Sequence, residues 1–280
     1  MPAHPVGFRQ RVCNHDVLLG TWMQIGHPGI AEVLGRLGFD WVCVDLEHGA
    51  IDLETTTDLF RTLRGYGAAA VARLPVNDPV WIRRTLDAGA EALILPMIKT
   101  ADEAEAAVRA AKYPPRGERG FGYSRANAHG IDFHDSIARA NDAIALIMQI
   151  EHIDAIHHLD DILAVPDVDG VFLGPLDLSG SMGITGQLDH PRMRAALERY
   201  QSAARAHGVA AAAQLVRPDE ASVQRSLADG YTLVALGLDN VFLHRGSEAA
   251  LRAAGRGVPG ASDPPAAEAR RLADDHRDAA

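Results

Sequence analysis

The sequence predicts an α/β fold of the (β/α)8 TIM-barrel type. Three observations predict the barrel. Eight short apolar or β-branched runs alternate with longer stretches of helical period. The runs are almost continuously apolar, as strands covered on both faces must be. Each gap between runs is long enough for the crossover, about a dozen residues, that neighbouring parallel strands need. The competing open, doubly wound sheet lacks its usual sign, because no glycine-rich dinucleotide turn follows the first run.

The elements follow in order. Run Leu18–Met23 precedes a helical stretch Gly29–Leu37, and Trp41–Leu46 precedes Thr55–Tyr66. Ala69–Leu74 is followed by Asp78–Asp87, and Ala92–Pro96 by Thr100–Lys112. A polar, glycine-rich stretch, Tyr113–Gly130, then interrupts the rhythm, and loops of that length in a compact domain are usually functional or mobile. Ile144–Ile150 and Gly170–Leu173 are the fifth and sixth runs. Pro191–His207, Val209–Gln214, Pro218–Asp229, Leu233–Leu236 and Asn240–Ala254 complete the alternation. Residues 1–254 therefore read as one barrel domain, since α/β barrels exceed the usual domain size with a single core. Residues 255–280, rich in Pro, Gly and charge, read as a flexible extension.

Composition narrows the function classes. The 280-residue chain carries a net charge of −10, so it has no basic field for a nucleic-acid backbone. Cys13 and Cys43 are the only cysteines, which suits a reduced compartment. The opening MPAHPVGFRQRV has no apolar stretch of the signal-peptide kind, and no run approaches a membrane span. A soluble, cytoplasmic protein without nucleic-acid or membrane partners is expected.

In a barrel of this type the chemistry sits at the C-terminal mouth. Strand two ends in Asp45, Glu47 and His48, strand three in Arg73, and strand five in Gln149 and Glu151. Strand six runs into Gly174-Pro175-Leu176-Asp177, strand one brings Trp22, and the helix before strand four brings Asp87. Residues two apart share a strand face, so Gln149 points with Glu151 and Arg73 with Val71. Each residue alone has an ordinary structural explanation. Glu151 could favour a helix N-terminus, Asp177 could cap a turn, Arg73 could pair with a wall carboxylate, and Asp45 could hold loop amides. Their convergence on one mouth argues for function, because a barrel built only for stability would not gather so many charges there.

Two carboxylates on adjacent strands, without a cysteine or histidine pair at ligand spacing, suit a hard divalent cation such as Mg²⁺ or Mn²⁺, with Co²⁺ possible. The ligand types exclude a structural zinc. A cation beside an arginine and a histidine suits enolate chemistry: Lewis-acid polarisation, anion stabilisation and proton transfer.

The strings VDLEHG (44–49), ARLPVND (72–78), LILPMIKTADEAEAAVRAAKYPPRGERGFG (93–122), MQIE (148–151) and VFLGPLDLSGSMG (171–183) resemble the HpcH/HpaI family. That family includes 4-hydroxy-2-oxoheptanedioate and 2-dehydro-3-deoxyglucarate aldolases. The resemblance runs from about Leu18 to Ala254. It implies a class II pyruvate aldolase, splitting a 4-hydroxy-2-oxo acid into pyruvate and an aldehyde. By position it implies Glu151 and Asp177 as metal carboxylates, His48 as general base, Asp87 as the aspartate that activates His48, and Arg73 as the enolate-stabilising arginine. Gln149, Gly174, Pro175, Leu176 and Asp177, with Trp22, correspond to the substrate-binding groups. Leu176 stands where the family usually has a small residue. The resemblance also implies a homohexamer, a trimer of dimers with active sites near subunit interfaces.

Other readings remain open at this stage. A Schiff-base aldolase would need a lysine, and only Lys99 and Lys112 occur; the acidic TADEAE around Lys99 argues for a fully charged amine. An acyl-CoA lyase of the malyl or citramalyl type, or an oxaloacetate decarboxylase, would use the same metal-enolate site. Arg116, Arg119 and Arg125 could serve CoA phosphates. A non-catalytic scaffold would predict a broken set of mouth residues, and this set is intact.

Overall fold

The computed structural model describes residues 6–256. A short helix α1 (Phe8–Cys13) precedes β1 (Leu18–Met23), α2 (Pro28–Arg36), β2 (Trp41–Asp45), α3 (Leu53–Tyr66) and β3 (Ala69–Arg73). Then come α4 (Pro79–Asp87), β4 (Ala92–Leu95), α5 (Ala101–Ala111), a 3-10 segment (Arg125–Gly130), α6 (Phe133–Ala143) and β5 (Ala145–Ile150). After these follow α7 (Ile153–His157), α8 (Leu159–Leu163), β6 (Gly170–Leu173), α9 (Pro175–Ser181) and α10 (Pro191–His207). The order ends with β7 (Ala210–Leu215), α11 (Glu220–Ala228), β8 (Leu233–Leu238) and α12 (Asp239–Ala253). Each strand pairs in parallel with the next, and β8 returns to β1, closing the predicted barrel. The chain divides into two compact units, Met1–Val241 and Phe242–Ala280, and the barrel belongs to the first. Most of the extension expected at 255–280 lies outside the described residues. Among the described residues no helix is long and apolar enough to cross a membrane.

Two apolar layers result from strand alternation. One face of each strand packs against the helices through residues such as Val42, Val44, Leu93, Leu146 and Met148. The opposite faces fill the barrel, where Trp22, Trp41, Val71, Ile94, Ile147 and Phe172 interleave with Ala69, Ala92, Ala145, Ala210, Ala212 and Ala235. Large rings fit only where small residues face them. Gly20 shows how tight this is, because a Cβ there would lie 2.1 Å from the Trp41 ring.

Capping residues set where each helix leaves its loop. Asp78 accepts from the amides of Val80 and Trp81 ahead of α4, and Thr100 with Glu103 forms a capping box on α5. These positions turn the chain within a few residues of the strand ends, which keeps the mouth loops short.

Some elements were not legible in the sequence. Helix α1 is only six residues long, too short to show a period, yet its Phe8 and Val12 plug the barrel floor as part of the inner core. Helix α6 buries none of its side chains, and α7, α8 and α9 have at most seven residues each. Helices as short as α7, α8 and α9 do not present the apolar stripe from which a helix is read.

The 113–130 segment follows α5 and leads through α6 into β5, so it lies where the strands begin, at the end opposite the mouth. Asn127 ties it together, bonding Ser124 and Gly130 amides and the Gly122 carbonyl. Within one chain this segment therefore cannot wall the mouth. Lys112 sits at the same far end, fully buried, with its amine on the carbonyls of Asn141 (2.7 Å) and Ile144 (3.0 Å). Burial pulls its pKa down to about 8.

Candidate active site

The mouth is organised around Arg73, the last residue of β3. Its Nε and Nη2 donate to the two oxygens of Asp45 at 2.9 and 2.7 Å, a bidentate pair across adjacent strand ends. Its Nη1 faces Glu47 at 3.1 Å, and its guanidinium lies 4.4 Å from the Trp22 ring centroid. Trp22 in turn meets Phe172 edge-on at 5.4 Å. Carboxylates and an aromatic platform thus fix the cation with little freedom.

Asp45 is fully buried. Burial alone would raise its carboxyl, but the Arg73 bonds and charge, the Gln24 amide and the His48 backbone outweigh it, and its pKa falls below the usual range. It is a permanent anion. The structural reading of Asp45, as a residue that holds loop amides, is met by its contacts with the Glu47 and His48 N–H groups at 3.1 and 3.3 Å. Its larger task is anchoring Arg73.

Strand β5 supplies the second focus. Gln149 and Glu151 point to the mouth together, as parity predicts, and both are buried. Gln149 Nε2 donates to Glu151 Oε2, and the Met97 amide donates to Glu151 Oε1 at 2.8 Å. Met97 holds a left-handed backbone conformation, φ 56°, to present that amide. Burial raises the Glu151 pKa, the Gln149 and Met97 bonds oppose it, and the Asp177 charge pushes it further up. Glu47 is likewise raised, by burial first, with Arg73 opposing and Glu151 adding repulsion. Gly174 allows this crowding: a Cβ there would lie 2.7 Å from Glu151 Cβ and 2.8 Å from Oε2.

Asp177 sits in the first turn of α9, which Pro175 opens. The amides of Leu176 and Asp177 have no partners within the helix there. Leu176 projects into solvent at the rim, 59% exposed. Among the described residues no group of three or more His, Cys, Asp or Glu side chains stands ready for a metal. The donor set fits a hard cation on other grounds. Glu151 and Asp177 repel each other, and Gln149 Oε1 is buried without a partner. A cation held by two carboxylates, with remaining positions left to water and substrate, is how Mg²⁺ is usually bound.

His48 lies at the rim with its side chain 62% exposed and Nε2 4.0 Å from Glu47. Asp87 is not beside it. Asp87 ends α4, which runs back from the mouth, and its carboxylate accepts from Arg119 at 2.7 Å in the far-end loop. The expected His48–Asp87 pair therefore does not form within one chain. Trp22 also differs from expectation. At 2% exposure it offers almost no surface to a ligand and acts as the platform beneath Arg73.

The sequence reading missed a supporting group. Gln24 Nε2 donates to Asp45 at 2.7 Å, Asn240 Nδ2 donates to Gln24 at 2.7 Å, and Asp239 accepts from the Gln24, Ile25 and Asn240 amides. Gln24 lies two residues beyond Trp22, so the parity used for Gln149 and Glu151 would have found it.

A family model, HpcH/HpaI aldolase/citrate lyase, matches residues 18–245. The chain belongs to the HpcH/HpaI aldolase/citrate lyase family. It is accordingly a carbon–carbon lyase. Within this family it is 40% identical over 248 residues to a hydroxypyruvate/pyruvate aldolase of Roseovarius nubinhibens, covering 87% of this chain and 94% of the relative. It is 40% identical to a 4-hydroxy-2-oxo-heptane-1,7-dioate aldolase of Salmonella dublin, covering 82% and 88%. A solved HpcH/HpaI family structure from Burkholderia cenocepacia J2315 superposes with a TM-score of 0.84 at 33% identity, covering 89% of this chain and 98% of that one.

Proposed function

We propose that this HpcH/HpaI protein is a class II pyruvate aldolase that cleaves a 4-hydroxy-2-oxo acid between C3 and C4, giving pyruvate and an aldehyde, and runs the addition in reverse. The observation that carries this reading is the facing of a rigidly held Arg73 and a buried Glu151–Gln149 pair across one mouth. Gln149 and the amides of Leu176 and Asp177 hold the 2-oxo acid. His48, exposed at the rim, takes the proton of the 4-hydroxyl. The C3–C4 bonding pair moves onto the enolate, whose developing charge Arg73 stabilises. Protonation at C3 then gives pyruvate. Glu151 and Asp177 would hold a divalent cation, Mg²⁺, Mn²⁺ or Co²⁺, which when bound supplies Lewis-acid polarisation of the keto oxygen.

Its place at the opposite barrel end means that Asp87 could act on His48 only from a second copy. A homohexamer with shared active sites is the assembly we propose, consistent with the exposed Phe242, Leu243 and Leu251 side chains of α12. Mixing inactive His48→Ala and Asp87→Ala proteins through a dissociation step should restore part of the turnover, because some interfaces would then carry both intact residues. No recovery from a mixture shown to have exchanged subunits would remove Asp87 from the mechanism.

The acyl-CoA lyase reading loses its support. Arg119 is bonded to Asp87, Arg125 to the Ala88 carbonyl, and Arg116 to Asp142 and Asp167, all away from the mouth. A panel of 4-hydroxy-2-oxo acids, oxaloacetate and malyl-CoA, each with and without Mg²⁺, Mn²⁺ and Co²⁺, should give pyruvate fastest from a hydroxy-oxo acid. Carbon–carbon cleavage of malyl-CoA alone, with no hydroxy-oxo acid turned over, would overturn the aldolase assignment.

A further inference from the structure

Arg73 takes its direction from residues as far away as the start of α12. Neighbouring strands in the closed barrel run β8, β1, β2, β3, and a belt of side chains crosses their mouth ends in that order. Asn240, at the start of α12 just after β8, donates Nδ2 to Gln24 Oε1 at 2.7 Å. Gln24, just after β1, donates Nε2 to Asp45 Oδ2 at 2.7 Å. Asp45 ends β2 and accepts both prongs of Arg73, which ends β3. Buried Asp239 ties the first two members together at their backbones, accepting from the Gln24, Ile25 and Asn240 amides.

What each group can donate or accept fixes the direction of every bond in the belt. Asp45 is a buried anion paired with Arg73, and an ionised carboxylate can only accept. Gln24 must therefore turn its NH2 group toward Asp45, which leaves its carbonyl oxygen facing Asn240. Asn240 carries both a donor and an acceptor, and it presents the donor. Of the four residues only Asn240 is exposed. Trp22, two residues before Gln24, lies against the same guanidinium, so the end of β1 bears on Arg73 twice.

We propose that Asn240 and Gln24 are positioning residues for the enolate step. Asn240 fixes which way the Gln24 amide points, and that amide holds Asp45 where its two oxygens aim the Arg73 guanidinium at the developing charge. The proposal rests on the aldolase reading and deepens it. Neither residue touches the substrate in this role; both act through Arg73.

The test exchanges one NH2 group for an oxygen. Asn240→Asp keeps the side-chain shape but loses the donor, so the Gln24 amide has a carboxylate at each end and one of them must face Oε1. Position 240 is exposed and lies in the first turn of α12, where a carboxylate is favoured, so the unfolding temperature should hold. The rate should not hold. In pyruvate release kcat should fall about tenfold with KM little changed, short of the roughly hundredfold loss that a full ångström of misplacement costs. Asn240→Ala removes the donor without imposing the wrong direction, and should cost less. Gln24→Leu should lose at least as much as Asn240→Asp, and in a Gln24→Leu background Asn240→Asp should cost nothing further. Gln24→Leu should likewise cost little in an Arg73→Lys background, where the planar fork is already gone. An unchanged kcat in Asn240→Asp, beside a working unmodified protein, overturns the positioning role alone. So does an equal loss from Asn240→Asp with Gln24 present and with Gln24→Leu, because the added charge would then act without the belt. If the unmodified protein releases no pyruvate from any 4-hydroxy-2-oxo acid at saturating cation, the aldolase reading fails and takes the positioning role with it.

Discussion

Arg73→Ala should lower kcat/KM by about a hundred- to a thousandfold, a loss of roughly 3–4 kcal/mol of transition-state stabilisation, the scale seen when an oxyanion-holding donor is removed. The structure adds a second expected effect. Asp45 is fully buried and owes its charge chiefly to Arg73, so alanine leaves an anion in the barrel with only Gln24 and two backbone amides. Breaking a buried pair from one side typically costs about 3–5 kcal/mol of stability. The two effects separate in Arg73→Lys, which keeps the charge but loses the planar fork that grips both Asp45 oxygens and lies over Trp22. Lysine should recover more stability than rate. Steady-state kinetics at temperatures where each variant is folded, with thermal unfolding measured alongside, reads both. Near-normal turnover in folded Arg73→Ala would show that the guanidinium is structural only.

Gly174→Ala is the second large effect, from a single added methyl group. The backbone itself tolerates alanine, since φ is −104°. The obstacle is Glu151, whose Cβ and Oε2 would lie 2.7 and 2.8 Å from the new atom. Glu151 cannot simply swing aside, because Gln149 holds one carboxylate oxygen and the Met97 amide holds the other. Overpacking of this kind costs about 1–3 kcal/mol. A displacement near 1 Å at a reacting centre costs about a hundredfold in rate. Gly174→Ala should therefore fold with modest destabilisation, lose about a hundredfold in kcat/KM, and bind divalent cation more weakly. Normal cation affinity and rate would mean that the Glu151 position is not critical.

The extent to which sequence revealed this site follows a physical pattern. Arg73, Gln149 and Glu151 were legible because strand parity fixes which side chains share a face, and the structure puts all three at the mouth. The barrel was legible because its strands are apolar on both faces. Met97 was not, because its contribution is a backbone amide in a left-handed conformation, which a side-chain pattern does not register. Trp22 was placed at the mouth but assigned to the substrate, since a sequence does not distinguish a ring that lines a pocket from one buried beneath its arginine. Asp87 shows a different limit. Motif position ties it to His48, whereas barrel topology sends α4 to the far end, and only an assembly of copies could reconcile the two.

The two far-end corrections share one cause. The 113–130 segment and its arginines stand out for length and charge, yet helices return the chain to the floor of the barrel before every strand. A loop after a helix therefore faces away from the chemistry of its own chain, whatever its composition.

The most direct measurement is a calorimetric titration of Mn²⁺ into EDTA-stripped protein and into stripped Glu151→Gln, paired with pyruvate release by the same samples. The stripped protein should be inactive, bind the ion and regain turnover, while Glu151→Gln, still folded, should do neither. Undiminished pyruvate release after stripping, or equal Mn²⁺ affinity in the two proteins, would contradict a cation-assisted enolate at this mouth.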